Sequence, residues 1–486
     1  MHARWLLALL ALLALTLLRL LVAATAPLSP DEAYYWVWSK ALAAGYFDHP
    51  PMVALWVWAG THLAGDGALG VRLLAPLAAA IGSLLLAQTA EDLLPGRRAG
   101  PLAAALLNAT LLFGAGAVTM TPDTPLLLFW TATLWACARL RATRRGAWWL
   151  AAGLAAGLAC DSKYTAVLLA PVLLLWLLWV PGLRPWLRRP LPWAAALLAG
   201  LCFAPVLAWN AVHGWVSLAK QGGRVGAWEP ARAPQFLAEL VGGQLGLATP
   251  LLAVLFAAGI VLAARRAWAQ EPAGSLLALA ALVPVAVFVQ HALGARVQAN
   301  WPAILFPAAA VAAAGLAGGW QRWNRPALAL GFVLTGLVYL QATLAPLPLP
   351  ARFDPTLSRL AGWPGLAADV ARAVAESGAT YVAVDNYGDA AELTRALPPR
   401  LPVIGTDARW RYFALAHAGS VIAGRPGLLL RRAGERAPPD ATLWARVGPP
   451  ANLSRARDGL VAETYRLYPV VGVAGMPPVV ALPRRP

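Results

Sequence analysis

The chain has 486 residues, 59% of them hydrophobic and only 13% charged, with a mean hydropathy of +0.61. A soluble domain carries roughly twice that share of charge, so an ordinary globular protein is excluded. The net charge of +17 would suit a nucleic-acid binder only if the basic residues were gathered into one patch, and they are distributed between apolar runs instead.

Those runs, such as Trp5–Leu18, Ala68–Ala87, Tyr164–Val180 and Pro302–Leu316, approach the length needed to cross ~30 Å of hydrocarbon at ~1.5 Å per residue. A backbone in lipid must close its hydrogen bonds internally, so the runs are helices. About eleven spans are predicted, near 5–26, 68–90, 101–119, 125–140, 147–160, 164–180, 193–210, 237–262, 275–291, 302–318 and 327–343. The first has the form of a signal peptide, with Arg4, a leucine run and Ala23-Ala24-Thr25-Ala26. Arg19 interrupts that run, and a retained helix is expected. The 235–262 segment also fits an interfacial helix followed by a span. With the N-terminus in the cytoplasm, the inner loops hold Arg4, Arg97, Arg98, Arg139, Arg141, Arg144, Arg145, Arg184, Arg188, Arg189, Arg265, Arg266, Arg322 and Arg325. The outer loops hold only Lys40, Lys163, Lys220, Arg224, Arg232 and Arg296. That is the asymmetry of the positive-inside rule, and it places the C-terminus outside.

The first outer loop, 27–67, opens with Ser29-Pro30-Asp31-Glu32-Ala33-Tyr34-Tyr35-Trp36 and continues with Gly45-Tyr46-Phe47-Asp48-His49-Pro50-Pro51. An acidic pair directly after a membrane helix, among aromatics, sits at the interface. Solvated charges, a helix N-cap at Pro30-Asp31-Glu32 and an anchoring belt of Trp36, Trp38, Trp56 and Trp58 are the structural alternatives. The next outer turn is Thr121-Pro122-Asp123-Thr124-Pro125, where Asp123 either caps the following helix or adds a second carboxylate to the same side. Asp161-Ser162-Lys163-Tyr164 ends the fifth span. Charges at that depth are costly unless paired or lining a polar cavity, and a Lys163–Asp161 pair is the structural alternative. Asn210, His213-Gly214-Trp215, Gln221-Gly222-Gly223-Arg224 and Arg296 with Gln298-Ala299-Asn300-Trp301 complete the outer elements. Arg19 and Arg72, inside spans, need partners. Cys137, Cys160 and Cys202 lack paired spacing, and the six histidines show no ligand spacing.

Near Ala345 the texture changes. Pro346, Pro348 and Pro350 form a stiff linker, and charge then rises. Helical spacing at Leu366–Ser377 and Gly388–Leu397, with β-like runs at Tyr381–Val384, Leu401–Ile404 and Leu428–Leu430, predicts a small soluble α/β domain over 345–486. It matches no phosphate-binding pattern and is assigned no catalytic role.

Carboxylates, cations and aromatics on the outer side suit one chemistry. A carboxylate deprotonates an acceptor hydroxyl, lysine or arginine holds a phosphate leaving group, and aromatics stack on sugars. No nucleotide is expected outside the membrane, so the activated donor is lipid-borne. A proton-coupled transporter would carry its acids midway through spans.

Ser29–Trp36 with Gly45–Pro51, then Thr121–Pro125, Ser162-Lys163-Tyr164-Thr165 and Ala299-Asn300-Trp301-Pro302, resemble glycosyltransferase family 39. The likeness is to its bacterial dolichyl-phosphate-mannose–protein mannosyltransferase-like branch, similar to the lipid A aminoarabinose transferases. The resemblance covers the membrane part, 1–344, and implies a polytopic α-helical membrane protein of the C-type glycosyltransferase fold with a polyprenyl-phosphate-sugar donor. It implies Asp31 as general base, with Glu32 as a supporting acid and Asp123 orienting donor or acceptor. Lys163 and Arg296, backed by Lys40 and Arg224, are the donor-phosphate candidates. Tyr34, Tyr35, Asp48, His49, Asn300 and Trp301 are candidates for the sugar or acceptor. No resident cofactor is expected; a loosely held divalent ion on Asp31 and Asp123 is the alternative. The expected setting is the bacterial inner membrane, with the site and C-terminal domain in the periplasm. The expected acceptor is lipid A, lipopolysaccharide or another envelope glycan. A protein O-mannosyltransferase, and a lipid-linked sugar flippase without bond chemistry, stand as alternatives.

Overall fold

A computed structural model describes residues 2–222, 228–475 and 479–484. Each predicted span falls on helical residues. Among the described residues six helices are long and apolar enough to cross a membrane: Trp5–Thr25, Ala68–Leu93, Pro190–Val212, Pro250–Trp268, Pro272–Ala292 and Gly318–Thr343. Tyr164–Trp179 and Pro181–Arg188, bent by 113°, make a seventh if counted as one span. Trp148–Cys160 and Trp301–Ala314 are apolar but shorter.

The difference from eleven full-length spans has local causes. The expected 237–262 span breaks into Ala233–Ala248 and Pro250–Trp268. Thr249 takes φ +73°, and Pro250, lacking an N–H, suits the first turn of a new helix. The expected 101–119 span breaks where the Thr110 hydroxyl accepts from the Phe113 N–H at 3.2 Å and caps a new helix, Leu111–Gly116.

The chain divides into two compact units. The first comprises Met1–Leu21, Asp48–Val53 and Leu74–Val338. Its helices approach through small residues, as expected where lipid offers no hydrophobic drive to association. Gly153 and Gly157 on Trp148–Cys160 face Pro190–Val212, where a β-carbon on Gly153 would meet the Ala195 carbonyl oxygen at 2.3 Å. Arg19 finds its partner here, donating to Asn108 Oδ1 at 2.7 Å.

The second unit comprises Val22–Phe47, Ala54–Leu73 and Tyr339–Pro486. Among the described residues it is built on a seven-stranded sheet. β1 (Val382–Val384) lies parallel to β2 (Val403–Gly405) and β3 (Pro426–Arg432). β4 (Trp444–Val447), β5 (Ala451–Arg457), β6 (Leu460–Gly472) and β7 (Val480–Ala481) join antiparallel, with β6 pairing β3, β4 and β5. The three expected strands are β1 to β3, and the two expected helices are Trp363–Ser377 and Tyr387–Ala396. The β5–β6 hairpin was not anticipated. It turns on Asp458-Gly459, both at positive φ, a dipeptide suited to a tight hairpin turn. Helix Pro30–Lys40 packs on Tyr387–Ala396, so the first outer loop and the sheet share one unit. Trp36 and Trp38 are fully buried within it, which makes them core rather than a lipid-facing belt.

Candidate active site

In the first unit a charged cluster gathers beyond the helix ends. Asp123 opens helix Asp123–Thr143, and Lys163 follows the tight turn that ends Trp148–Cys160, its backbone extended at φ −159°. The buried Lys163 ammonium donates to Asp123 Oδ1 at 2.6 Å, and Asn300 Nδ2 donates to Asp123 Oδ2 at 2.7 Å. Lys163 therefore pairs with Asp123 rather than with Asp161. Asp48 is ion-paired with Lys220, and Gln221 donates to the Asp48 carbonyl at 2.9 Å. The Met52 N–H donates to the Asp161 carbonyl at 3.0 Å, tying residues 48–53 to the end of the lysine's helix. His49 feels both pairs. Burial, and then Lys163, lower its imidazole to about 4, against the pull of Asp48 and Asp123. It is therefore neutral at pH 7, and its buried Nδ1 makes no hydrogen bond among the described residues. The residue as a whole is half-buried.

Other candidates lie around or away from this cluster. Trp301 rests on His291, ring centroids 5.6 Å apart. Arg296 is 71% exposed and pairs with Glu239 at 2.8 Å. Arg224 lies outside the described residues.

In the second unit Ser29 caps helix Pro30–Lys40 through a capping box with Glu32. The Glu32 carboxylate accepts from the Ser29 N–H at 2.9 Å and from Arg72 Nε and Nη2 at 2.6 and 2.7 Å. Arg72 also donates to the carbonyls of Ala26 at 2.7 Å and Pro27 at 2.8 Å. Both side chains are buried, and the pair fastens the chain leaving the first helix to the helix that follows. Asp31, one residue earlier, is half-buried and accepts a hydrogen bond from Tyr387 Oη at 3.0 Å. Aromatic rings wall this side. Tyr34 lies 4.6 Å from Tyr387 and 5.3 Å from Trp410, Tyr35 meets Trp38 at 5.1 Å, and Phe47 stacks on Tyr412 at 5.3 Å. Lys40 is bound to Asp66 at 2.7 Å, where Trp36 Nε1 also donates at 2.8 Å. That ties the helix Pro30–Lys40 to Asp66.

The sequence did not point to Lys220 as Asp48's partner, to Arg72 as Glu32's, or to Tyr387. The last carried a signal: Asp385-Asn386-Tyr387-Gly388 lies at the carboxyl end of a parallel strand, where α/β folds place functional loops. Among the described residues no three His, Cys, Asp or Glu side chains gather as a metal site.

Residues 48–209 match the family model described as dolichyl-phosphate-mannose-protein mannosyltransferase. The whole fold is similar to that of ArnT from Cupriavidus metallidurans bound to undecaprenyl phosphate, with TM-score 0.64 and 16% identity over 98% of this chain and 100% of that one. The apo form of that protein gives TM-score 0.61 and 14% identity over 96% and 98%. The fold is the C-type glycosyltransferase fold, and the resemblance to glycosyltransferase family 39 stands. The chain is a multi-pass membrane glycosyltransferase. Among characterised relatives it is 28% identical over 406 residues, 80% of each chain, to the lipid A galacturonosyltransferase RgtD of Rhizobium johnstonii.

Proposed function

We propose that this enzyme transfers a sugar from a polyprenyl-phosphate donor to lipid A, lipopolysaccharide or another envelope glycan, on the periplasmic side of the bacterial inner membrane. The observation that carries the proposal is the Lys163–Asp123–Asn300 constellation, a buried ammonium held ready by one carboxylate beside a neutral imidazole. An incoming phosphate competes with Asp123 for that ammonium, and as the sugar–phosphate bond breaks the lysine neutralises the departing polyprenyl phosphate. Asp31 takes the proton of the acceptor hydroxyl as its oxygen attacks the anomeric carbon. Glu32 and Lys40, both engaged in structural ion pairs, leave the proposed chemistry. Asp123 orients the donor through Lys163, and exposed Arg296 meets phosphate at the rim. Asp48, His49, Asn300 and Trp301 border the donor; Tyr34 and Tyr35 border the acceptor. Similarity to a lipid A galacturonosyltransferase and to a fold solved with undecaprenyl phosphate supports the acceptor and donor classes.

In this reading about eleven helical crossings, several of them broken, occupy 1–344, and 345–486 lies outside. A reporter active only outside the cytoplasm is then active after Pro350 and silent at Arg144; the reverse pattern would overturn the sidedness. No resident cofactor takes part, so chelator leaves transfer unchanged. The functional test is transfer by the purified chain from undecaprenyl-phosphate sugars, galacturonic acid first, with mass spectrometry of the acceptors. A mass shift on glycolipid is expected. The matched family's description favours a protein acceptor as the second reading, and a shift on secreted protein alone would establish it. Donor translocation without any bond transfer would make the chain a flippase.

A further inference from the structure

The C-terminal unit was assigned no chemistry from its sequence, yet one of its side chains reaches the proposed base. Tyr387 Oη donates to Asp31 Oδ1 at 3.0 Å. We propose that Tyr387 is a positioning residue for the transfer reaction, its hydroxyl fixing the Asp31 carboxylate toward the acceptor hydroxyl. This rests on the assignment of Asp31 as general base.

The contact is built from both sides. Tyr387 begins a helix that Asn386 caps, its Oδ1 accepting from the N–H groups of Gly388 at 3.0 Å and Asp389 at 3.1 Å. Next to it Gly388 lies directly against the first turn of Pro30–Lys40: a β-carbon there would fall 2.7 Å from Pro30 Cβ. A bare α-carbon lets the two helices approach closely enough for a tyrosine on one to reach an aspartate on the other. The ring itself is clamped. Tyr34 lies 4.6 Å away, and the Arg409 guanidinium sits 3.7 Å from the ring centroid, held in turn by Asp407 at 3.2 Å. A cation over the face of a phenol withdraws electron density and makes its O–H a stronger donor.

A first-turn aspartate swings freely, whereas a general base must stay within hydrogen-bond reach of the proton it takes. Fixing one oxygen from outside its own helix removes that freedom. The same bond favours the ionised carboxylate. Several other charged groups of this unit are packed nearby. Glu32 is bound to Arg72, Arg409 to Asp407, and Asp389 to Arg432, while Glu392 and Arg395 face the Glu32 side. Tyr387 is thus one group through which the C-terminal unit acts on the proposed base.

The test uses the full-length chain with undecaprenyl-phosphate galacturonic acid as donor and lipid A as acceptor, comparing wild type, Tyr387→Phe, Gly388→Ala and Asp31→Asn. Tyr387→Phe keeps the ring and its stacking and removes only the hydroxyl. The expected result is a roughly tenfold fall in kcat with donor KM unchanged, and an acidic limb of the kcat–pH profile moved up by about one unit. Gly388→Ala keeps the hydroxyl but parts the helices, and should move the limb the same way. An unmoved limb in Tyr387→Phe, with turnover either unchanged or falling only in step with the melting temperature, overturns the positioning role while an inactive Asp31→Asn leaves the base in place. Normal turnover by Asp31→Asn overturns the base itself and the inference with it.

Discussion

Around Asp123 charge is matched pair by pair: Lys163 on Asp123, Lys220 on Asp48, with a neutral His49 feeling both. Around Asp31 two neighbouring carboxylates are treated differently. Glu32 is buried, capped and bound by Arg72, while Asp31 stays half-buried among aromatic rings and accepts from a phenol on one oxygen. The first arrangement is a polar receptacle whose cations can be exchanged from one anion to another. The second holds one acid in a buried ion pair and its neighbour, the proposed base, beside a phenol.

The sharpest way to break that comparison is to neutralise each carboxylate in turn. Asp31→Asn should lower the transfer rate by ~10²–10⁴-fold while the protein inserts, melts and binds donor like wild type. Stopped-turnover assays at saturating donor measure this, and a near-normal rate would remove the distinction. Glu32→Gln should do the opposite. Losing one member of a buried ion pair costs about 3–5 kcal/mol of stability, read as a lower melting temperature, with the folded fraction still turning over.

Lys163→Ala sharpens the other side. A charge-assisted hydrogen bond worth roughly 1.5–3 kcal/mol corresponds to a ten- to hundredfold weaker donor Kd, and Lys163→Arg should recover part of it. Because the lysine's partner is Asp123, adding Asp161→Asn should rescue nothing. Rescue of stability and activity by that second change would restore the Asp161 pairing.

The smallest expected effect tests the interior of the Asp31 region. Glu392 is pushed up to about 8 by burial, opposed by Arg395 and reinforced by Glu32. An acid whose pKa is higher in the folded state holds its proton there after the unfolded chain has released it. Stability is therefore lost as pH rises from the ordinary glutamate range toward 8. Thermal melts should show wild type losing stability from pH 5 to 8 and Glu392→Gln losing less. Parallel curves would place the ionised form in the folded protein.

Much of this was legible in the sequence because hydropathy and turn chemistry are local. The helix start at Pro30-Asp31-Glu32, the apolar runs, three strands and two helices of the C-terminal unit all follow from spacing over a few residues. What was not legible depends on distance. Whether a run of apolar residues stays one helix was decided at Thr249-Pro250 and Thr110 by backbone geometry that hydropathy does not register. That Glu32 and Lys40 are engaged elsewhere was hidden because their partners, Arg72 and Asp66, lie 40 and 26 residues away. Tyr387 is 356 residues from Asp31, and no local pattern announces a contact of that separation.

The division of labour between the two regions is tested most directly by a double-mutant cycle on kcat/KM for donor, with wild type, Asp31→Asn, Lys163→Ala and the double variant measured under one set of conditions. Residues that act on different groups without touching one another lose activity independently, so their effects multiply. The double variant should fall to the product of the two single losses. A double variant no worse than Asp31→Asn alone, as for residues that act as one catalytic unit, would contradict it.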